Sequence, residues 1–344
     1  MKLKDESFFR AIRDYLTIFL PKQKCYSDNT VTSYKTAINL FLDYLTEQEQ
    51  LPLRRICFDD LNKKNVTGYL DWLEQTRGNS VSTCNQRLMA LRSFAKYAGL
   101  NDIAQAAVHM ELSGLPTKKA TPKVVEFLSE KALEVLLTQP DIRKKTELRN
   151  RFFMILMYDT AARCQEMLDL RLKDFVLDAK APFIYLTGKG NKTRTVPLMP
   201  ATVRHFRQYI SIFHPQVAQG SAEYLFFTTI HGKRNQMSPD TVACFMKKYG
   251  QSARVVCSDV PENVHPHQLR HTRAIHLYRG GMPLSLLSEF LGHAELSTTQ
   301  IYAYADTEMK RAAIQKACPD DTCDEPLIWD DSDESTLRKL YGLM

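Results

Sequence analysis

HPHQLRHTRAIHLYRGGMPLSLLSEFLGHAELSTTQIYAY, residues 265–304, decides how the chain is read. Pro266 can open a helix, because a first-turn residue loses nothing by lacking its N–H. Within that helix His267 and Arg270 are three apart and share a face. Gly280-Gly281 stops it. Pro283 opens a second short helix with Leu284, Leu286, Leu287, Phe290 and Leu291 as its apolar set. Gly292 ends that helix and His293 follows outside it. Ser297-Thr298-Thr299-Gln300 has the form of a capping box for a third helix. Tyr302 stands just after the box, near the positive end of that helix.

These side chains suit attack on a phosphodiester. Arginine presents a planar fork of donors that matches two phosphate oxygens. Histidine can donate a hydrogen bond to the same group or move a proton. Tyrosine can act as a covalent nucleophile, dividing one hard step into two easier ones. A helix N-terminus favours a phenolate and a nearby phosphate. A lone Tyr or His on a helix is most often structural; the combination is what points to chemistry.

A length of 344 residues suggests two or three domains. The apolar fraction of 44% is enough for packed cores. No window approaches 18 apolar residues without charge, so no membrane helix is expected. The N-terminal run MKLKDESFFRAIRDYL is charged and lacks a small-residue cleavage site, unlike a signal peptide. The eight cysteines form no CxxC pair and read as reduced thiols of a cytoplasmic protein. Net charge is +7 and uneven. Residues 318–344 hold eight carboxylates against Arg338 and Lys339, a net −6, leaving +13 on the rest. A basic body with an acidic tail fits a polyanionic partner, or simply a solvated surface.

Residues 1–112 read as an all-helical bundle, with helices over Phe8 to Leu20, from Ser27 or Asp28, over Asp60 to Leu73 and over Ser82 to Tyr97. Lys35, Lys63, Lys64, Arg87, Arg92 and Lys96 recur on the polar faces and are candidate phosphate contacts. Residues 113–124 read as an extended basic linker, with Pro116, Pro122, Gly114, Lys118, Lys119 and Lys123 breaking any helix. Lys118 and Lys119 join the candidate contacts. Beyond it, Ser129 to Leu137 and Glu147 to Tyr158 read as helices. Arg163 sits at a helix start beside small residues, with Glu166 three further on to orient its guanidinium. The period then changes. Phe183–Thr187 and Thr193–Leu198 read as strands around the Gly188-Lys189-Gly190-Asn191-Lys192 turn. The turn and its flank bring Lys189, Lys192 and Arg194 into reach of a nucleic acid, or merely keep the hairpin soluble. A helix from Val203 or Arg204 to Phe213, a buried strand Tyr224–Phe227 and a helix capped by Ser238 and reaching Tyr249 complete the expectation.

Several separated motifs together resemble the tyrosine recombinases of the phage integrase family. AARCQEMLDL (161–170) is similar to the family's first arginine motif, T-G-x-R-x-x-E. GKGNKTRTVPL (188–198) resembles the hairpin that carries the catalytic lysine. HQLRH (267–271) looks like the H-x-x-R box, and LGH (291–293) and STTQIY (297–302) look like the closing histidine and the nucleophile. The resemblance covers roughly 125–317 and more weakly the bundle before it. It implies a mainly α fold with a small antiparallel β-sheet: a helical, SAM-like core-binding domain at 1–112 and an α+β catalytic domain at 125–317, followed by an acidic tail at 318–344. It implies that Arg163 and Arg270 clamp the scissile phosphate and that Lys189 protonates the leaving 5′ oxygen. His267 would act in proton transfer, and His293 would hydrogen-bond a phosphate oxygen. Tyr302 would attack to give a 3′-phosphotyrosyl ester, with Glu166 and His271 in support. Neither metal nor other cofactor is needed, since two guanidiniums supply the positive charge. The partners implied are double-stranded DNA with inverted-repeat core sites and three further copies of the chain, with or without an accessory protein. The expected place of action is the cytoplasm, at the nucleoid.

The sequence departs from the family pattern in places. Ala161 replaces a glycine, a change expected only to tighten the turn. Tyr304 replaces a histidine and is a rival nucleophile to Tyr302. His265 and His276 have no assigned role. Only about 20 residues precede the bundle, so the layout resembles Xer-type resolvases, integron integrases or mobile-element recombinases. Leu337, Leu340, Tyr341 and Met344 share a face of a final helix that would dock on a neighbouring protomer, the alternative being a disordered acidic tail. Two other functions compete: a catalytically silent DNA-binding protein of the same fold, and a relaxing enzyme like topoisomerase IB.

Overall fold

The computed structural model describes residues 3–119, 125–188, 190–218, 220–293, 295–304, 311, 314–315 and 334–342. The chain divides into two compact units, Met1–Lys123 and Val124–Met344.

The first unit is a helical bundle. Helix α1 (Glu6–Asp14) is capped by Asp5, whose carboxylate accepts the Phe8 N–H at 3.0 Å. It runs on as wider π-type turns over Tyr15–Gln23. Helices α2 (Asp28–Glu47), α3 (Lys63–Gln75), α4 (Val81–Asn101) and α5 (Ala106–Ser113) follow. Ser80 caps α4 as its side chain accepts the Thr83 N–H. Helix α3 starts three residues later than Asp60 because Asn62, not an aspartate, accepts the Asn65 N–H. The bundle closes on an aromatic core in which Phe8 meets Phe58 edge-on at 5.1 Å and Phe94 at 6.1 Å. Tyr15 is fully buried and satisfies its hydroxyl on Ser93. The expected linker begins differently from its composition. Leu112 and Leu115 are buried in the bundle, and the Lys118 backbone exchanges two hydrogen bonds with the Asn85 amide. Leu115, with Leu112 just before it in α5, ties that part of the segment down.

The second unit holds α6 (Glu130–Thr138), α7 (Lys145–Thr160), α8 (Cys164–Asp169), α9 (Pro200–Phe213), α10 (Pro239–Val256), α11 (Pro266–Arg279), α12 (Leu284–Leu291) and α13 (Ser297–Tyr304). Helix α7 is buried on several sides, through Phe152, Phe153, Met154, Leu156 and Met157, and α6, α8, α9 and α11 pack against it. Each such side chain contributes about 1.5–3 kcal/mol of burial. Strands β1 (Phe175–Val176), β2 (Phe183–Thr187) and β3 (Thr193–Pro197) form an antiparallel sheet in that order. The strand expected at Tyr224–Phe227 lies further on. Leu225 and Phe226 are buried, but pairing runs from β4 (Phe227–Ile230) to β5 (Lys233–Gln236). His231 and Gly232, both at positive φ, make the two-residue turn. Ser297 opens α13 instead of capping it, its hydroxyl donating to the Glu295 carboxylate at 3.2 Å. A further helix spans Glu334–Leu340. The segment from Tyr304 to Lys316 lies largely outside the described residues, as do the side chain of Leu337 and Met344 of the expected docking face, whereas Leu340 and Tyr341 of that face are exposed. Among those residues no helix is long and apolar enough to cross a membrane.

Candidate active site

The site forms where the ends of α7, α12 and β3 meet the start of α11 and the body of α13. Helix α7 ends at Ala161, which takes a left-handed conformation (φ 47°, ψ 31°). That reverses the chain within two residues and delivers Arg163 to the start of α8. The Ala161 substitution therefore does more than tighten a turn. It places a Cβ where glycine is favoured, at about 1–2 kcal/mol. The methyl group recovers some of this, because Ala161 is fully buried in a small apolar cluster with Ala274, Ile275, Leu287, Leu291 and Tyr302.

Glu166 organises the first half of the site. It is 3% exposed and accepts the Arg163 N–H at 2.8 Å and Arg163 Nη1 at 2.8 Å. It also accepts Arg194 Nη1 at 3.0 Å and Nη2 at 2.8 Å, a bidentate fork. Burial opposes ionisation of Glu166. The hydrogen bonds and charge of Arg194, then of Arg163, outweigh it and hold the carboxyl at about 2. Arg194 spends its Nε–H on the Phe290 carbonyl at 3.0 Å. Its guanidinium is thus consumed inside the protein, and the expectation of a surface DNA contact gives way to a buried brace between β3, α8 and α12. Two glycines make room for it. A Cβ at Gly188 would stand 2.8 Å from Glu166 Oε1, and one at Gly292 would stand 2.9 Å from Arg194 Nη1. Gly292 is also left-handed, at φ 63°.

Arg163 reaches over to the Gly292 carbonyl at 3.2 Å. Arg270 is 3% exposed and donates to the carbonyls of Ala161 at 2.5 Å and Leu291 at 2.6 Å. The two guanidiniums are therefore anchored to adjacent carbonyls, Gly292 and Leu291, at the end of α12. Burial, then repulsion from Arg163, brings Arg270 down to about 10, so it stays charged at neutral pH. In each arginine two of five N–H donors are held by these contacts, which orients the fork without filling it.

His293 follows the left-handed Gly292 and its Nδ1 lies 2.8 Å from the buried Thr299 hydroxyl. Burial, with the charges of Arg270, Arg163 and Arg194, pushes it down to about 4. A neutral ring that accepts from Thr299 keeps Nε2–H as a donor. Tyr302 is 1% exposed. Its hydroxyl meets His271 Nδ1 at 2.9 Å, and burial raises its pKa against the pull of Arg270 and Arg163. His267 is exposed as a residue, yet the protein around its imidazole, and then the charge of Arg270, lower its pKa. His276 is structural: it bridges the Tyr158 hydroxyl at 2.9 Å and the Leu128 carbonyl at 3.1 Å. Lys189 and the side chain of Tyr304 lie outside the described residues.

The structure thus brings Arg163, Glu166, His267, Arg270, His271, His293 and Tyr302 together in one unit. The candidate DNA contacts divide. Lys35, Lys63, Lys64, Lys96, Lys119 and Lys192 are exposed. Arg87 donates to the Ser33 carbonyl at 3.1 Å. Arg92 donates to the carbonyls of Leu112, Ser113 and Leu115. Both arginines therefore serve packing within the bundle. Lys118 pairs with Glu74 at 2.6 Å and Asp71 at 3.3 Å. Arg194, Thr299, Gly188 and Gly292 are site residues that motif reading passed over in these roles. Arg194 had a signal. A strand period of two puts it on the same face as the buried Val196.

The model of the phage integrase family matches residues 126–309. That of the phage integrase N-terminal SAM-like domain matches residues 13–100. The chain is 29% identical over 295 residues to tyrosine recombinase XerA of Pyrococcus horikoshii, covering 85% of this chain and 88% of that protein. It is 29% identical over 297 residues to tyrosine recombinase XerD of Oceanobacillus iheyensis, covering 86% and 93%. In fold it is similar to the Tn1549 transposon integrase in complex with transposon right end DNA, with TM-score 0.66 and 17% identity over 90% of this chain and 99% of that one. It is also similar to the XerH site-specific recombinase in a post-cleavage complex with difH substrate, with TM-score 0.63 and 20% identity over 91% and 90%.

Proposed function

The chain belongs to the phage integrase family of tyrosine recombinases, enzymes that cleave and rejoin DNA, and we propose that it does so through a 3′-phosphotyrosyl ester of Tyr302. The observation that carries this reading is the pair of guanidiniums of Arg163 and Arg270. They are anchored on neighbouring carbonyls at the end of α12, close enough to the His293 imidazole and the buried Tyr302 hydroxyl for their charge to act on both. A pentacoordinate phosphorane carries extra negative charge, and fixed cations aimed at it stabilise the transition state more than the ground state. Arg163 and Arg270 clamp the phosphate, and Glu166 with Arg194 holds Arg163 in place. His293 donates to a non-bridging oxygen, and Lys189 protonates the leaving 5′ oxygen. The ester conserves the energy of the broken bond, so rejoining to a new 5′ hydroxyl needs no nucleotide cofactor.

The helical unit at 1–112 is the core-binding domain and the unit from 125 to 317 the catalytic domain of this reading. The exposed lysines Lys35, Lys63, Lys64, Lys96, Lys119 and Lys192 contact phosphates of double-stranded DNA. Four copies act on two inverted-repeat sites and exchange strands through a Holliday junction, in the cytoplasm where the DNA lies. Integration or excision of a mobile element and resolution of multimers both fit.

A plasmid carrying two copies of the site tests this. The site is recovered by selecting, from random duplex DNA, the sequences that the full chain binds. The expected products are deletion or inversion circles, according to site orientation. Relaxed plasmid without exchange would favour the topoisomerase-like alternative, and tight binding without any strand breakage the silent one.

A further inference from the structure

We infer that His271 takes the phenolic proton of Tyr302 as its oxygen attacks phosphorus, a role that the family resemblance gives to His267. The inference deepens the recombinase reading and rests on it. The geometry is a direct contact across two helices: Tyr302 Oη on α13 lies 2.9 Å from His271 Nδ1 on α11. The ring centroids are 5.7 Å apart. His267 stands one turn earlier on α11, its ring centroid 6.4 Å from that of His271. It thus flanks the imidazole that makes the contact with the phenol. In the tautomer with hydrogen on Nε2, Nδ1 offers its lone pair to the Tyr302 O–H, the arrangement a general base requires.

The step balances as follows. Tyr302 Oη forms the bond to phosphorus and its proton passes to His271 Nδ1. The bond from phosphorus to the 5′ oxygen breaks, and its electron pair leaves with that oxygen, which is protonated by the general acid assigned to Lys189. His271 is left as imidazolium. In rejoining, the 5′ hydroxyl attacks, the phenolic oxygen leaves, and His271 returns the proton to it.

The surroundings decide the timing. His271 is faced by His265, His267 and Arg270 from α11 and its cap, by Tyr302 from α13, and by His293 from the loop between α12 and α13. Burial, then the charges of His267, Arg270 and His265, holds it at about 4, whereas Tyr302 is raised above its ordinary value of 10. Both shifts favour the neutral phenol–imidazole pair over a preformed phenolate–imidazolium pair. The proton therefore moves together with formation of the P–O bond, when charge building on the phosphorane stabilises the imidazolium. Before DNA arrives, the phenol is kept neutral and hydrogen-bonded.

The test is single-turnover formation of the covalent adduct by the full chain on a nicked suicide duplex bearing the selected inverted repeats. His271→Gln should slow adduct formation by about 10²–10³-fold at pH 7, with binding of the intact duplex unchanged. The deficit should shrink as pH rises, because hydroxide then takes the proton, and added imidazole should restore part of the rate to His271→Ala. Nitrogen-15 NMR of the wild-type chain should show His271 protonated on Nε2 and bare on Nδ1. Three results would overturn the inference while leaving the recombinase reading standing. One is a His271→Gln rate within about threefold of wild type. Another is a deficit that neither pH nor imidazole relieves, the mark of a merely positioning role. The third is an Nδ1–H tautomer in the wild type. A wild-type chain that binds the duplex and forms no adduct would overturn the reading and the inference together.

Discussion

Glu166 accepts four N–H groups from two arginines, and that arithmetic makes it the residue on which the site's stability most depends. Its carboxyl is held at about 2, below the 4.5 of a free side chain. A depressed acid stabilises the fold fully above the unfolded value and loses that contribution as pH falls through the folded one. The Glu166 term, about 3 kcal/mol, is therefore expected to vanish between about pH 4.5 and 2. His271 and His293, held neutral with folded values of about 4, add an earlier loss as the unfolded chain protonates below 6.5. Urea midpoints measured against pH should show both limbs in the wild type. In Glu166→Gln only the limb below about 4.5 should flatten, with the fold weaker by about 3 kcal/mol at pH 7 because two arginines lose their counter-charge. Ala161 makes a finer prediction. Replacing it by glycine relieves about 1–2 kcal/mol of left-handed strain. It also removes a buried methyl worth about 0.8 kcal/mol and frees the unfolded chain by a similar amount. Ala161→Gly should therefore shift stability by less than about 1 kcal/mol, measurable by denaturant titration.

At the level of elements, the hairpin of β2 and β3 shows what close approach demands. Gly188→Ala would press a methyl onto Oε1 of the Glu166 carboxylate, whose two oxygens four N–H groups hold still, so adduct formation should fall at least tenfold. Gly190→Ala meets no atom within 4 Å and strains only its φ of 76°. It should cost about 1 kcal/mol in stability and alter the chemistry less. Equal effects of the two substitutions on cleavage would count against the Glu166 brace. The elements that a sequence reader finds here are those with strong period or punctuation: α11 from Pro266 to the glycine pair, α10 from the Ser238 cap, and the paired strands around the lysine turn. The β4–β5 hairpin was hidden because its residues are exposed or half-buried, so no apolar alternation marks it. Arg163, Glu166, Arg270, His293 and Tyr302 were legible as motifs because their spacing along the chain is fixed. The Arg194 brace and the contact of His271 with Tyr302 were not, since each joins elements far apart in sequence by a geometry no spacing encodes.

For the whole molecule, charge is the property that reaches furthest. The body carries +13 and the last 27 residues −6. Binding to any duplex should weaken steeply with salt, by about 0.9 in log–log slope for each phosphate contacted. Lys63→Ala with Lys64→Ala, both exposed at the start of α3, should reduce that slope by about two without changing site preference. An unchanged slope would remove these lysines from the DNA interface. Deleting 324–344 tests the tail: the proposal that it docks on a neighbouring protomer requires loss of tetramer assembly on DNA, and full assembly and recombination after deletion would end it. The account as a whole turns on one bond. Full-length wild type and Tyr302→Phe should each be incubated in EDTA with the nicked suicide duplex and resolved under denaturing conditions. The prediction is a covalent protein–DNA band in the wild type, a peptide ester mapping to Tyr302, and no band in the variant. A band that persists in Tyr302→Phe would place the nucleophile elsewhere and contradict the account.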